Sequence, residues 1–146
     1  VTRRWRAVAR CGIFAAMGTV RVGDVDIYFE EQGTGEPLLL IMGLAADSQA
    51  WIFQMPEFAQ HYRTIAFDNR GVGRSAKPAG PYTIHQMADD ALAVLDHLEV
   101  EKAHVVGVSM GGMIAQELTL RNPGRVRSLV LACTYPEPSA EIEQQR

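Results

Sequence analysis

The stretch HVVGVSMGGMIAQEL, His104 to Leu118, changes character half-way along. Its first six residues are an apolar run suited to a buried strand. The continuation MGGMIAQELTLRN reads as a helix, stopped by Asn122-Pro123-Gly124. At the junction lies Gly107-Val108-Ser109-Met110-Gly111, a serine with glycine two residues away on either side. In that position a serine sits on a tight turn that pushes its hydroxyl out above the sheet edge. Side chains at 107 and 111 are predicted to collide with neighbouring main chain, and Gly112 to let the new helix pack closely. The free N–H groups and positive dipole end of that helix face the place where negative charge develops on an attacked carbonyl. Ser109 is therefore a candidate nucleophile. The competing reading is a glycine-rich connection with no chemistry.

Outward from the junction, the chain alternates. TVRVGDVDIYFEEQG gives two short strands around the turn Gly23-Asp24, and GTGEP closes the pair. PLLLIMG is continuously apolar between turn signals, which predicts a central strand covered on both faces. DSQAWIFQMPEFAQHY is roughly helical, with an interruption expected at Pro56. YRTIAFDN is again a buried strand. YTIHQMADDALAVLDHLEV carries a capping-box pattern at Thr83 and Gln86, and Met87, Ala91, Val94, Leu95 and Leu98 recur at helical spacing. VRSLVLACT is the last strand, and YPEPSAEIEQQR is a polar tail. A hairpin followed by alternating strands and helices predicts an α/β fold, a mostly parallel sheet with helices on both faces.

Composition bounds the function classes. With 47% hydrophobic and 21% charged residues, the chain has the make-up of a globular domain with a core. The net charge is −3, although Arg3, Arg4, Arg6 and Arg10 crowd the first ten positions, so the remainder is more acidic still. An acidic body has no basic face for phosphate, and no nucleic acid is expected as partner. The longest apolar runs, Cys11–Val20 and Pro37–Ala46, are far shorter than the ~20 residues of a membrane span. Two cysteines, Cys11 and Cys133, make neither a disulfide framework nor a zinc site. A cytoplasmic location is expected, with twin-arginine export through Arg3-Arg4 as the alternative.

Three segments together resemble the α/β-hydrolase superfamily. PLLLIMGLAADSQAW is similar to that family's third strand, oxyanion loop and first helix. YRTIAFDNRGVGRS resembles its Asp-x-Arg-Gly-x-Gly-x-Ser segment, here Asp68, Arg70, Gly71, Gly73 and Ser75. GVSMGGMIAQELTLRNPGRVRSLVLACT resembles its elbow, following helix and sixth strand. The resemblance covers about residues 19–135 and points to the serine-nucleophile, lactonase and haloperoxidase-like branch. It implies Ser109 as nucleophile, the backbone N–H groups of Leu44 and Met110 as oxyanion hole, a small-molecule acyl substrate, and no cofactor or metal. Met42-Gly43 stands where many members have His-Gly, which bears on loop geometry more than on reaction class. Trp51, Asp47 and Arg70 are expected to pack or brace loops.

The family's order is Ser, then Asp or Glu, then His. All four histidines here, His61, His85, His97 and His104, precede Ser109. Each has a structural reading, and His104 begins its strand at the sheet end away from the elbow. Glu137 occupies a place where some members carry the acid, but a carboxylate without an imidazole cannot activate the hydroxyl. The expected organisation is an extension over 1–17, the N-terminal part of a hydrolase core over 18–135, and a tail over 136–146 at the start of a lid. The fold is thus expected to stop after about the sixth strand, with a C-terminal segment as missing partner. On that reading the chain alone is inactive; the alternative is a non-catalytic piece of the fold that needs a second segment.

One rival motif fails on its context. GVGRSA, Gly71 to Ala76, fits a loose dinucleotide-binding fingerprint, but Pro78, Gly80 and Pro81 occupy the place of the helix that must hold the pyrophosphate.

Overall fold

The computed structural model describes residues 15–136. Expectations for Arg3-Arg4, Cys11, Glu137 and most of the two terminal segments lie outside the described residues. Six strands form one sheet: β1 (Ala15–Val22), β2 (Val25–Gln32), β3 (Glu36–Ile41), β4 (Tyr62–Phe67), β5 (Ala103–Val108) and β6 (Val126–Ala132). Their order across the sheet is β1-β2-β4-β3-β5-β6. The hairpin β1–β2 and the pair β2–β4 are antiparallel, and β3–β4, β3–β5 and β5–β6 are parallel. β3, the expected central strand, lies between β4 and β5.

Helices α1 (Gln54–Phe58), α2 (Ile84–His97) and α3 (Met110–Arg121) link these strands. α2 and α3 cover one face. There Ile27, Phe29, Leu39, Ile41, Ile65, Phe67 and Val105 meet Met87, Ala91, Val94, Leu95, Ile114 and Leu118 in one buried cluster. On the other face Leu38, Leu40 and Ala66 meet Trp51 and Met55. Successive residues of a strand point to opposite faces. Leu38-Leu39-Leu40-Ile41 is apolar throughout because both of its faces are covered. α2 starts as its sequence dictates, with Thr83 Oγ1 accepting from Gln86 N and Gln86 Oε1 accepting from Thr83 N, both at 3.1 Å.

Two boundaries differ from expectation. β1 begins at Ala15 and pairs it with Gln32, so residues 15–17 belong to the sheet rather than to an extension. The segment around Pro56 is not one helix kinked at proline. It is a 3₁₀ turn over Ser48–Trp51, capped by the Asp47 side chain, and then α1. Pro56 lies in the first turn of α1, where a missing N–H costs no intrahelical bond. The break falls instead at Ile52 and Phe53, which are exposed.

β6 is the outer strand at the elbow side of the sheet. Its side chains are exposed or half-buried on both faces, Val130 and Leu131 among them.

Candidate active site

Ser109 separates β5 from α3 with φ 56° and ψ −124°. A positive φ is strained for any residue with a Cβ, and it persists only where the surroundings impose it. Here they do. The Ser109 amide donates to Ala132 O in β6 at 2.9 Å, and its carbonyl accepts from Gly112 N at 2.9 Å. The predicted crowding is present: a Cβ on Gly107 would stand 2.5 Å from Gly111 O, and one on Gly111 would run into Ile41 O and Met42 O. Gly112 packs on Thr134 just as closely.

A serine at a helix N-cap ordinarily turns its hydroxyl back onto the first-turn amides. Ser109 makes no such bond and is exposed, so its Oγ is left free at the start of a twelve-residue helix. Met110 is the first residue of that helix, and its amide has no intrahelical acceptor.

The loop after β3 comes up against this serine. A Cβ on Gly43 would lie 3.0 Å from Ser109 Cβ and 3.4 Å from Ser109 Oγ. Asn69, buried after β4, holds the loop by donating its side-chain amide to Met42 O at 2.9 Å. Leu44 follows with its side chain exposed, and Ala45 turns the chain at φ 60°. Because oxyanion donors are main-chain groups, an exposed Leu44 side chain does not count against that position.

Below the loop, Asp68 is a buried hub. Its carboxylate accepts from Ser48 N at 2.8 Å and Arg74 N at 2.7 Å, tying the start of the 3₁₀ turn to the 70–75 loop. Ser75 Oγ accepts from Tyr28 N at 2.8 Å. Arg70 forms a bidentate pair with Asp90 of α2 at 2.6 and 2.7 Å. Burial pushes the Asp90 carboxyl up, while the hydrogen bond from Arg70 opposes that shift. Trp51 is buried packing and Asp47 is a cap, the bracing roles expected of them. The sequence motif marked Asp68, Arg70 and Ser75 but not Asn69, whose bond to a backbone 27 residues away has no local signal.

None of the histidines bonds Ser109 among the described residues. His85 Nδ1 lies 2.9 Å from Glu117 Oε1, and His97 packs edge-on to Phe29. His61 lies in the turn before β4. His104 is at the other end of β5, about 16 Å of extended strand from Ser109. No group of three or more metal-ligating side chains occurs among the described residues, and none of their helices is long and apolar enough to cross a membrane.

The family model described as alpha/beta hydrolase fold matches residues 36–146. The chain belongs to the α/β-hydrolase family. Among relatives of this chain is the protein named "Putative carbamate hydrolase RutD" of Azorhizobium caulinodans, 43% identical over 109 residues, which are 75% of this chain and 41% of the relative. The 3-oxoadipate enol-lactonase 2 of Acinetobacter baylyi is 34% identical over 124 residues, 84% of this chain and 46% of its own. A solved structure described as Est816, an N-acyl homoserine lactone degrading enzyme, superposes with TM-score 0.78 at 41% identity, covering 80% of this chain and 45% of that one. The chain thus spans two-fifths to a half of the length of these relatives.

Proposed function

We propose that this chain carries the nucleophile and oxyanion hole of a serine hydrolase acting on an ester, lactone or related acyl bond. The observation that carries the reading is the free, exposed Ser109 hydroxyl on a strained turn, with the Gly43 loop on one side and the start of α3 on the other. Ser109 Oγ attacks the acyl carbon. The backbone N–H groups of Leu44 and Met110 receive the oxyanion, and the alcohol leaves with the proton taken from Oγ; water then attacks the acyl-serine, which releases the acid and returns a proton to Oγ. The strain at 109 keeps the hydroxyl out of the capping role, and the dipole of α3 favours the developing charge.

The proton relay needs an imidazole. With the four histidines of this chain placed elsewhere, we assign the histidine and its acid to a C-terminal segment added beside β6. The half-open faces of β6 and the greater length of the relatives support that assignment. The lactone-degrading relatives favour a small-molecule acyl substrate of the ester or lactone class.

On the second reading the chain is a non-catalytic part of the fold. A fluorophosphonate probe distinguishes the two when applied to the chain with and without the polypeptide encoded downstream of residue 146. Labelling of Ser109 and turnover of an aryl ester, both gained on adding that polypeptide and both lost in Ser109→Ala, is the expected result. A complemented, folded protein that leaves Ser109 unlabelled favours the second reading.

A further inference from the structure

At the end of the sheet away from Ser109, three side chains from three strands form a line. Leu38 of β3 pairs with His104 of β5, and His104 pairs with Ser128 of β6. Residues two apart on a strand share a face, so Glu36, His104 and Ser128 stand on the same side of the sheet. Ser128 Oγ lies 2.7 Å from His104 Nδ1, and His104 Nε2 lies 3.0 Å from Glu36 Oε2. The Tyr62 ring stands edge-on to the imidazole at 5.8 Å. In the 146-residue chain, without the segment that the proposed function adds beside β6, Ser128 is exposed and the His104 side chain is 23% exposed.

These contacts select one tautomer of the neutral ring. Glu36 accepts the Nε2 proton, which leaves the Nδ1 lone pair aimed at the Ser128 hydroxyl. The hydrogen bond from His104, and then Arg127 at 3.7 Å, hold the Glu36 carboxyl below its usual range, keeping it an acceptor. A hydroxyl on an imidazole that is oriented in turn by a carboxylate is the arrangement that activates serine. The ring is used here in the reverse sense, with the acid on Nε2 and serine on Nδ1. The chemistry at the elbow involves none of these three residues.

We propose that Ser128 is a second activated serine, an acyl-acceptor site for small activated esters that works independently of Ser109. The Ser128 proton passes to His104 Nδ1 as Oγ bonds to the acyl carbon. The carbon–oxygen bond to the leaving alcohol breaks, and the proton on Nδ1 goes to that alcohol. The products are an O-acyl Ser128 and the free alcohol, with no redox change and no co-reactant. Acylation and hydrolysis of the O-acyl serine both pass through a tetrahedral intermediate, and among the described residues no α-helix begins beside Ser128 to stabilise either, so both steps are slow and the adduct is read by mass rather than by turnover.

The test uses the 146-residue chain carrying Ser109→Ala, treated with p-nitrophenyl acetate and mapped by peptide mass spectrometry. The expected result is an acetyl adduct on Ser128 that forms about a hundredfold faster than in the same chain with His104→Gln, the lower end of what a positioned base contributes. Glu36→Gln slows it less. Ser128→Ala, a smaller change that leaves His104 in place, abolishes the adduct, and circular dichroism checks that each variant remains folded. Equal rates with and without His104, or acetylation confined to lysines, would overturn the proposal. Because the Ser109 hydroxyl is absent throughout, the outcome does not depend on the reading of the elbow.

Discussion

Asn69 donates its side-chain amide to the carbonyl of Met42, at 2.9 Å, and so fixes the peptide that leads into the loop against Ser109. The bond links β4 to the loop after β3 from a fully buried position, while Asn69 Oδ1 itself has no partner among the described residues.

Replacing Asn69 with leucine takes the side-chain donor from Met42 O and also removes the unsatisfied Asn69 Oδ1. Loss of the buried orphan offsets part of the cost at Met42 O, so a net cost of about 1 kcal/mol is expected. Reactivity depends more steeply on position, since a displacement of an ångström can cost about a hundredfold. Asn69→Leu should therefore lower fluorophosphonate labelling of Ser109 in the complemented protein by about tenfold to a hundredfold, with the urea midpoint lowered only modestly. A large loss of stability with an unchanged labelling rate would make Asn69 a packing residue.

Gly111 tests the elbow through sterics. A methyl group there meets Ile41 O and Met42 O, both main-chain atoms of a central strand and its loop. Gly111→Ala is expected to cost about 3 kcal/mol or to prevent folding. Gly124 has nothing within 4 Å of its added Cβ, and Gly124→Ala should be close to neutral. Equilibrium denaturation of the two variants gives the comparison, and similar midpoints would contradict the crowding.

The Arg70–Asp90 pair joins the 70–75 loop to α2 with the Asp90 side chain fully buried. Taking away one partner strands the other: Arg70→Met is expected to cost about 3–5 kcal/mol. The double variant Arg70→Met with Asp90→Leu should recover a large part of that loss, because no buried charge is left unpaired. A thermal-melt double-mutant cycle measures this, and strict additivity would show that the two residues act separately.

Much of this architecture was legible because its signals are local. The Thr83–Gln86 capping box and the stripe from Met87 to Leu98 concern neighbours three or four residues apart, and the structure places both where the spacing puts them. The alternation in PLLLIMG was hidden, as a strand covered on both faces has none to show. The elbow could be read because close approach demands glycine at 107 and 111 whatever the rest of the chain does. The Asn69–Met42 bond and the Glu36–His104–Ser128 line could not be read, since they join residues 24 to 68 positions apart. Sheet register decides which of those side chains meet. His104 looked like the unremarkable start of a strand because its partners come from β3 and β6.

Ser109 itself offers the sharpest test of strain at the site. Its φ of 56° with ψ of −124° costs a non-glycine residue about 1–3 kcal/mol. Its hydroxyl makes no hydrogen bond among the described residues that would offset the cost. Glycine adopts this conformation freely, but it gives up about 0.5–1 kcal/mol through the greater freedom of the unfolded chain. The balance favours glycine, so Ser109→Gly should raise stability by about 1 kcal/mol. Ser109→Ala keeps the Cβ and the strain, and it should leave stability nearly unchanged. Both should abolish labelling at the elbow. The order of unfolding midpoints, glycine above serine and alanine together, is the measurement; a Ser109→Gly protein less stable than Ser109→Ala would mean that the turn is relaxed and the hydroxyl is not held out by strain.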